Sequence, residues 1–180
     1  MILEALSNDE LRRILEAAKA HKERDWLMIL VAFTHGLRAS EVTQITPDSL
    51  QDGFLIVARL KGSRITKQPL LEHADPLFSE RQALFDFARN LHGNQRLFPI
   101  SRVQFWRLLQ KYGRAAGVPA HKRHPHVLKH TIAMRTIKLA GIENVRQWLG
   151  HESISSTGEY LKVSDEEASA AIKASLLPLN

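Results

Sequence analysis

The sequence predicts a mostly helical domain with one small antiparallel sheet, an α+β fold. A Ser followed three residues later by Glu or Gln is typical of a helix start, and the pattern occurs four times, at Ser7/Glu10, Ser79/Gln82, Ser101/Gln104 and Ser164/Glu167. The stretch Trp26–Phe33 is almost wholly apolar, which indicates a buried central helix. Asp52-Gly53 indicates a tight turn ahead of two short strand-like runs.

Glycine and proline set the limits of the individual elements. Gly36 breaks the central helix, the segment Lys61–Arg64 looks like a tight hairpin, and Pro69 confines the returning strand to a sheet edge. The predicted strands span Phe54–Leu60 and Ile65–Leu71. The predicted helices span Asn8–His21, Asp25–His35, Leu37–Ile45, Glu80–Leu91, Arg102–Ala116, His126–Ala140, Glu143–Leu149, Ser155–Val163 and Asp165–Leu176.

Composition excludes several classes of protein. Of the 180 residues, 44% are hydrophobic and 24% are charged, as expected for a single globular domain over residues 1–180. The longest apolar run, Trp26–Phe33, is far shorter than the roughly 18 residues of a membrane helix. Cysteine is absent, which excludes disulfides, thiolate metal sites and cysteine nucleophiles. The opening Met1–Glu4 does not resemble a signal peptide, so we expect a cytoplasmic protein.

The charge balance favours an anionic partner. Lys and Arg number 25 against 19 acidic residues, which gives a net charge of +6. A basic surface attracts nucleic acid or an acidic membrane face. Many enzymes without a polyanionic partner carry a similar charge, so the balance alone does not identify one.

Three basic side chains share one face of a predicted helix. At 100° per residue, Lys129 and His130 lie within 60° of His126 around the axis. Two imidazoles and an ammonium at a helix N-terminus would suit an anion. Taken alone, the same residues are read more simply as a partly buried histidine beside a solvated lysine.

The histidine spacing also resembles a zinc site, which we do not expect here. His126 and His130 are four residues apart, and His121 and His124 lie upstream. The zinc-hydrolase motif needs Glu directly after the first histidine, but Val127 stands there. The ammonium of Lys129 would also oppose a bound cation. We therefore predict no metal and no cofactor.

Two further features, the Arg38/Glu41 pair and Tyr160, do not indicate a function when each is taken alone. Arg38 and Glu41 fit an ordinary intrahelical ion pair worth about 0.2–0.5 kcal/mol. Tyr160, nine residues after His151, fits a half-buried packing residue. The order of these residues along the chain, together with the basic face of the predicted helix, indicates a shared function instead of separate structural roles.

That order resembles the tyrosine recombinase (phage integrase) family over nearly the whole chain. Its G-x-R-x-x-E motif is matched by Gly36–Glu41, its hairpin lysine by Lys61, its H-x-L-[RK]-H box by His126–His130, its L-G-H step by Leu149–His151 and its nucleophile by Tyr160. The sequence around the first and third motifs is similar to the compact fimbrial-switch invertases.

The resemblance implies a recombinase catalytic-domain fold and a phosphoryl-transfer mechanism. The Tyr160 hydroxyl would attack a DNA phosphodiester and form a 3′-phosphotyrosyl link without metal or ATP. Lys61 would protonate the leaving 5′ oxygen, and His126 would act as acid or base. The implied catalytic residues are Arg38, Lys61, His126, Lys129, His151 and Tyr160, with Glu41 and His130 in support.

One departure from the family pattern affects the expected rate. Most members have Arg where this chain has Lys129, and Lys offers a point charge instead of a planar fork. Losing one charge-assisted hydrogen bond costs about 1.5–3 kcal/mol. Arg135 lies on the opposite side of the helix, whereas Arg123 precedes it and could reach the site. We expect a slow enzyme, the alternative being a non-catalytic DNA-binding regulator.

The resemblance also implies partners. Double-stranded DNA would be the substrate, with Arg64, Lys122 and Arg123 as candidate phosphate contacts that could equally be solvated charges. The family's N-terminal core-binding domain is expected to be absent, which predicts weak, salt-sensitive binding. The amphipathic segment 165–180 would dock on a neighbouring protomer in a tetramer on DNA, or on its own domain in a free monomer.

Overall fold

The computed structural model describes residues 4–59, 65–151 and 157. This part of the chain contains seven α-helices and three short strands, with two single 3-10 turns between them. The helices are α1 Asn8–His21, α2 Glu23–Thr34, α3 Ala39–Val42, α4 Arg81–Ala88, α5 Arg102–Ala115, α6 Pro125–Ala140 and α7 Ile142–Leu149. The strands are β1 Leu50–Gln51, β2 Phe54–Ala58 and β3 Ile65–Pro69. The mostly helical α+β prediction is confirmed.

Helix α2 is the centre of the core. Ten of its twelve residues are buried, as its apolar sequence predicts. It packs against α1, α4 and α6. Helix α1 buries only one face, formed by Leu11, Ile14, Leu15 and Ala18. A smaller apolar cluster joins α6 to α7 through Ala133, Ile137, Val145 and Leu149.

The sheet is antiparallel in the order β1-β2-β3. Strand β2 pairs with β3 in a register that places Leu55 opposite Gln68 and Val57 opposite Thr66. Among the described strands, β3 lies at an edge, as Pro69 predicts. Asp52 and Gly53 both have positive φ, which confirms the predicted turn. Strand β1 is only two residues long, too short for a sequence pattern to show.

One of the predicted helix starts is wrong. The capping boxes at Ser7 and Ser101 are present, with each hydroxyl accepting the N–H three residues on. Ser79 caps no helix, because α4 begins after Glu80. The Glu80 carboxylate is buried and accepts the N–H of Leu71, which fixes the chain here. The Ser79 hydroxyl instead accepts the N–H of His73 at 3.3 Å.

The predicted bounds elsewhere differ by a few residues. Helix α3 is shorter than the predicted Leu37–Ile45: Arg38 is extended, so the helix starts at Ala39, and it ends at Val42. The predicted hairpin at Lys61–Arg64 and the two predicted C-terminal helices, with the capping box at Ser164, lie outside the described residues, apart from Thr157. None of the described helices is long and apolar enough to cross a bilayer.

A buried hydrogen bond joins α5 to α2, and its contribution to stability can be predicted. The Tyr112 hydroxyl donates to Asp25 Oδ2 at 2.7 Å, and both residues are 2% exposed. Tyr112→Phe should lower the free energy of unfolding by about 1–3 kcal/mol, because a buried carboxylate oxygen loses its donor. Urea unfolding at neutral pH measures this.

The matched control is a double-mutant cycle with Asp25→Ala, which removes the acceptor. The two single changes should not add, because each removes the same interaction. Additive losses would show that the hydroxyl and the carboxylate do not stabilise one another.

Candidate active site

Two glycine turns bring distant parts of the chain together. Gly36 follows α2 with φ +59°, and Gly150 follows α7 with φ +65°, a region that favours glycine. A Cβ on Gly36 would overlap the side chain of Leu149, and one on Gly150 would overlap that of Arg59. The first turn leads to Arg38 and the second to His151, so their close approach places the two motifs side by side.

Glu41 holds Arg38 through both its backbone and its side chain. Glu41 Oε2 accepts the Arg38 N–H at 2.8 Å, and Oε1 accepts Arg38 Nη1 at 2.9 Å. The Glu41 side chain is 0% exposed and that of Arg38 is 31% exposed. Glu41 is therefore a buried anchor and not an ordinary surface partner.

The carboxylate of Glu41 stays ionised in spite of its burial. Desolvation alone would raise the pKa of Glu41. The Arg38 N–H and the charges of Arg59 and Lys129 outweigh that effect and hold the pKa below its ordinary value. The positive charges of Arg59 and Lys129 thus stabilise the ionised carboxylate of Glu41, and its negative charge offsets the repulsion between them.

Lys129 lies inside the protein, and the solvated-lysine interpretation is wrong. The residue is 3% exposed, and its Nζ donates to the Leu149 carbonyl at 3.1 Å. Burial first, and then the positive charge of Arg38, lowers the pKa of Lys129 to about 7. The contact with Leu149 fastens α6 to the turn that carries His151.

His151 is a neutral, buried imidazole. It is 8% exposed, and its Nδ1 lies 3.0 Å from the hydroxyl of Thr157. Desolvation, followed by the charges of Lys129 and Arg38, lowers the pKa of His151 to about 4. At neutral pH this ring can give one hydrogen bond without adding charge.

His126 and His130 lie at the outer edge of the same group. Pro125 starts α6, so His126 sits in its first turn and is exposed, while His130 is half-buried. The two rings lie edge to face with centroids 5.9 Å apart. Desolvation of the ring and the charge of Lys129 lower the pKa of His126. Its imidazole is therefore more easily kept neutral, as a proton acceptor must be.

A cleft opens beside these residues. It has a volume of about 380 Å³, and Arg38 and His126 lie on its wall together with Ser40, Trp106, His124 and Arg102. Lys129 and His151 belong to the same electrostatic group, because each lies close enough to Arg38 for its pKa to be lowered by that charge. No cluster of three potential metal ligands occurs among the residues that the structure describes.

Two of the candidate DNA contacts, Lys122 and Arg123, are described and make bonds within the protein. Lys122 Nζ pairs with Glu10 Oε2 at 3.0 Å. Arg123 Nε donates to the Val118 carbonyl at 2.5 Å, beyond the end of α5. Arg123 is not among the residues that line the cleft, and its replacement of the arginine for which Lys129 stands stays a prediction. Lys61, Arg64 and Tyr160 lie outside the described residues.

Sequence analysis missed Arg59, which is 1% exposed and donates to Glu41 Oε2 at 3.2 Å. The alternation of buried residues along β2 could have revealed it. Leu55 and Val57 are the buried members of β2, and the period of two places residue 59 on the same inward side. An arginine at an inward position needs buried acceptors, which here include a functional carboxylate.

Residues 4–167 match the Phage integrase family. "Tyrosine recombinase XerA" of Pyrococcus furiosus is 30% identical over 183 residues, covering 96% of this chain and 62% of that protein. "Type 1 fimbriae regulatory protein FimB" of Escherichia coli K12 is 28% identical over 172 residues, covering 86% of this chain and 82% of that protein.

Solved structures show the same fold. A crystal structure of XerA recombinase superposes with a TM-score of 0.73 at 25% identity, over 96% of this chain and 63% of that one. The XerH site-specific recombinase bound to its difH substrate gives a TM-score of 0.75 at 20% identity, over 96% of this chain and 55% of that one. This chain therefore spans about three-fifths of the length of the recombinases named XerA that it matches.

The family match covers nearly all of the chain, and the fold agrees with it. The described motif residues, Arg38, Lys129 and His151, form one electrostatic group beside one cleft. Sequence, fold and site thus lead to one conclusion: the chain belongs to the phage integrase family.

Proposed function

We propose that the chain is the catalytic domain of a tyrosine-type site-specific DNA recombinase, acting on double-stranded DNA in the cytoplasm. The observation that supports this most strongly is the shared site of Arg38, Lys129 and His151, three donors that lie close to one buried carboxylate. Preorganised donors of this kind stabilise the charge on the non-bridging oxygens of a phosphoryl-transfer transition state.

In the proposed reaction, Tyr160 is the nucleophile. Its hydroxyl oxygen bonds to phosphorus as the bond to the 5′ oxygen breaks, and the leaving oxygen takes a proton from Lys61. His126, at the mouth of the cleft, would accept the tyrosine proton. The 3′-phosphotyrosyl link retains the energy of the original bond, so the strand can be rejoined by the reverse reaction without ATP.

His151 is held in place by a described neighbour. The Thr157 hydroxyl lies 3.0 Å from His151 Nδ1. In the proposed reaction, the other ring nitrogen of His151 would donate to a non-bridging phosphate oxygen.

Self-association on DNA is part of the proposal. A tetramer of lambda integrase bound to a Holliday junction has the same fold, with a TM-score of 0.68 at 20% identity. We propose that this chain is a monomer when free and a tetramer on paired DNA sites. The net charge of +6 favours the DNA partner.

The proposed function predicts a covalent intermediate. A nicked suicide duplex should trap a protein–DNA adduct with the wild-type chain, scored on a denaturing gel at low salt. Tyr160→Phe should form none, because the attacking oxygen is absent. Tyr112→Phe is the matched control, since it removes the other of the two tyrosine hydroxyls and should leave the adduct yield intact below its melting temperature.

An adduct formed by the Tyr160→Phe variant would move the nucleophile elsewhere. A wild-type chain that retards DNA on a native gel but never forms an adduct would instead be the non-catalytic regulator.

The burial of Lys129 predicts that the cleavage rate depends on pH. With a pKa of about 7 in the free protein, the amine is charged below that pH and loses its charge above it. A bound phosphate raises this pKa, so the wild-type cleavage rate should begin to fall above pH 7 to 8. The fall should reach about ten- to a hundredfold once the ammonium is lost, the equivalent of about 1.5–3 kcal/mol.

Lys129→Arg should keep its charge throughout this range and therefore cleave at a rate independent of pH from 7 to 9. Single-turnover rates on the suicide duplex measure both proteins. Abolished cleavage in Lys129→Arg, with the fold intact, would contradict a contact between Lys129 and the scissile phosphate.

A further inference from the structure

Arg59 is a buried cation that the proposed mechanism does not use. It directly follows β2 and is 1% exposed, among the least exposed of the large side chains described. Burying a guanidinium costs free energy unless its donors are satisfied. The acceptors that satisfy it come from segments that are far apart in the sequence.

The guanidinium bonds to four parts of the chain at once. Nη1 donates to Glu41 Oε2 at 3.2 Å. Nη2 donates to the Trp148 carbonyl at 2.9 Å and to the His35 carbonyl at 3.0 Å. Nε donates to the Thr66 hydroxyl at 3.0 Å. One rigid plane therefore joins the turn before Arg38, helix α3, strand β3 and the end of α7.

Gln68 reinforces the same junction. Its Nε2 donates to the Trp148 carbonyl at 2.8 Å, and its Oε1 accepts Arg59 Nη2 at 3.2 Å. The Trp148 carbonyl thus receives two buried donors. It lies three residues before His151, at the point where α7 ends.

These contacts act on both sides of the active site. On one side, Glu41 receives Arg59 and Arg38 on its two oxygens. On the other side, the end of α7 is fixed by the Trp148 carbonyl, and Gly150 is closely covered by the Arg59 side chain. Arg38 and His151 therefore share one support.

We propose that Arg59 is a positioning residue for DNA cleavage, holding the Glu41–Arg38 pair and the His151 turn at a fixed separation. The inference rests on the proposed function. Arg59 makes no bond to substrate in this account. A displacement of about 1 Å at the reacting groups can lower a rate by about a hundredfold. Lysine cannot replace Arg59, because one ammonium cannot reach three directions in a plane.

The test is single-turnover cleavage of the suicide duplex at saturating DNA. Arg59→Met keeps the aliphatic part of the side chain and removes every donor. Arg135→Met is the matched control, because Arg135 is a half-buried arginine stacked over Phe33 with its centre 5.2 Å from the ring, outside the site. DNA affinity and thermal melting are measured for both.

Arg59→Met should lower the first-order rate constant by about ten- to a hundredfold, with the dissociation constant for DNA within threefold of wild type. Arg135→Met should change neither. The rate constant is the decisive quantity, because a folding defect lowers the amplitude of the reaction and leaves the rate constant of the folded fraction unchanged.

A wild-type rate constant in Arg59→Met would overturn the inference, and so would a loss confined to amplitude or DNA affinity. If Arg59→Met does not fold, the cleavage rate constant of Gln68→Met tests the inference in its place. It removes one donor to the Trp148 carbonyl and should slow cleavage about three- to tenfold, while an unchanged rate would overturn the inference. Failure of the proposed function is distinct, because the wild-type chain itself would then form no adduct.

Discussion

The buried carboxylate of Glu41 is the interaction on which the site depends. It accepts from Arg38 and Arg59 and lies within the field of Lys129, so a single anion offsets a concentration of positive charge. Without that anion, the cations would repel one another in a poorly solvated space. With it, Arg38, just before α3, and Lys129, in α6, can lie close together beside an open cleft that suits an anionic substrate, while Arg59 supports them from within.

The motif residues and the element types could be predicted because their signals are local. Capping boxes, the apolar α2 and the Asp52-Gly53 turn each depend on a few neighbouring residues, and the match to a known family is a matter of order along the chain. Ser79 shows where such reasoning fails. Its pattern is local, but the buried contacts of Glu80 decide where the helix starts.

The environment of the site residues could not be predicted in the same way. Lys129 is buried because Leu149, twenty positions away, offers a carbonyl. Arg59 is buried because it finds carbonyl acceptors 24 positions before it and 89 positions after it. Such contacts arise only when the elements pack. They convert a lysine of ordinary sequence context into a group whose pKa is about 7.

The two glycine turns are required by the fold, whereas the chemistry depends on the charged residues beside them. Gly36 and Gly150 are set by steric contact with Leu149 and Arg59, and neither carries a group that could touch a phosphate. A descendant that lost its catalytic power would still need both to keep its shape. When new sequences of this kind are sorted into working enzymes and inert copies, the glycines will therefore be poor guides, and the charged positions beside them will be good ones.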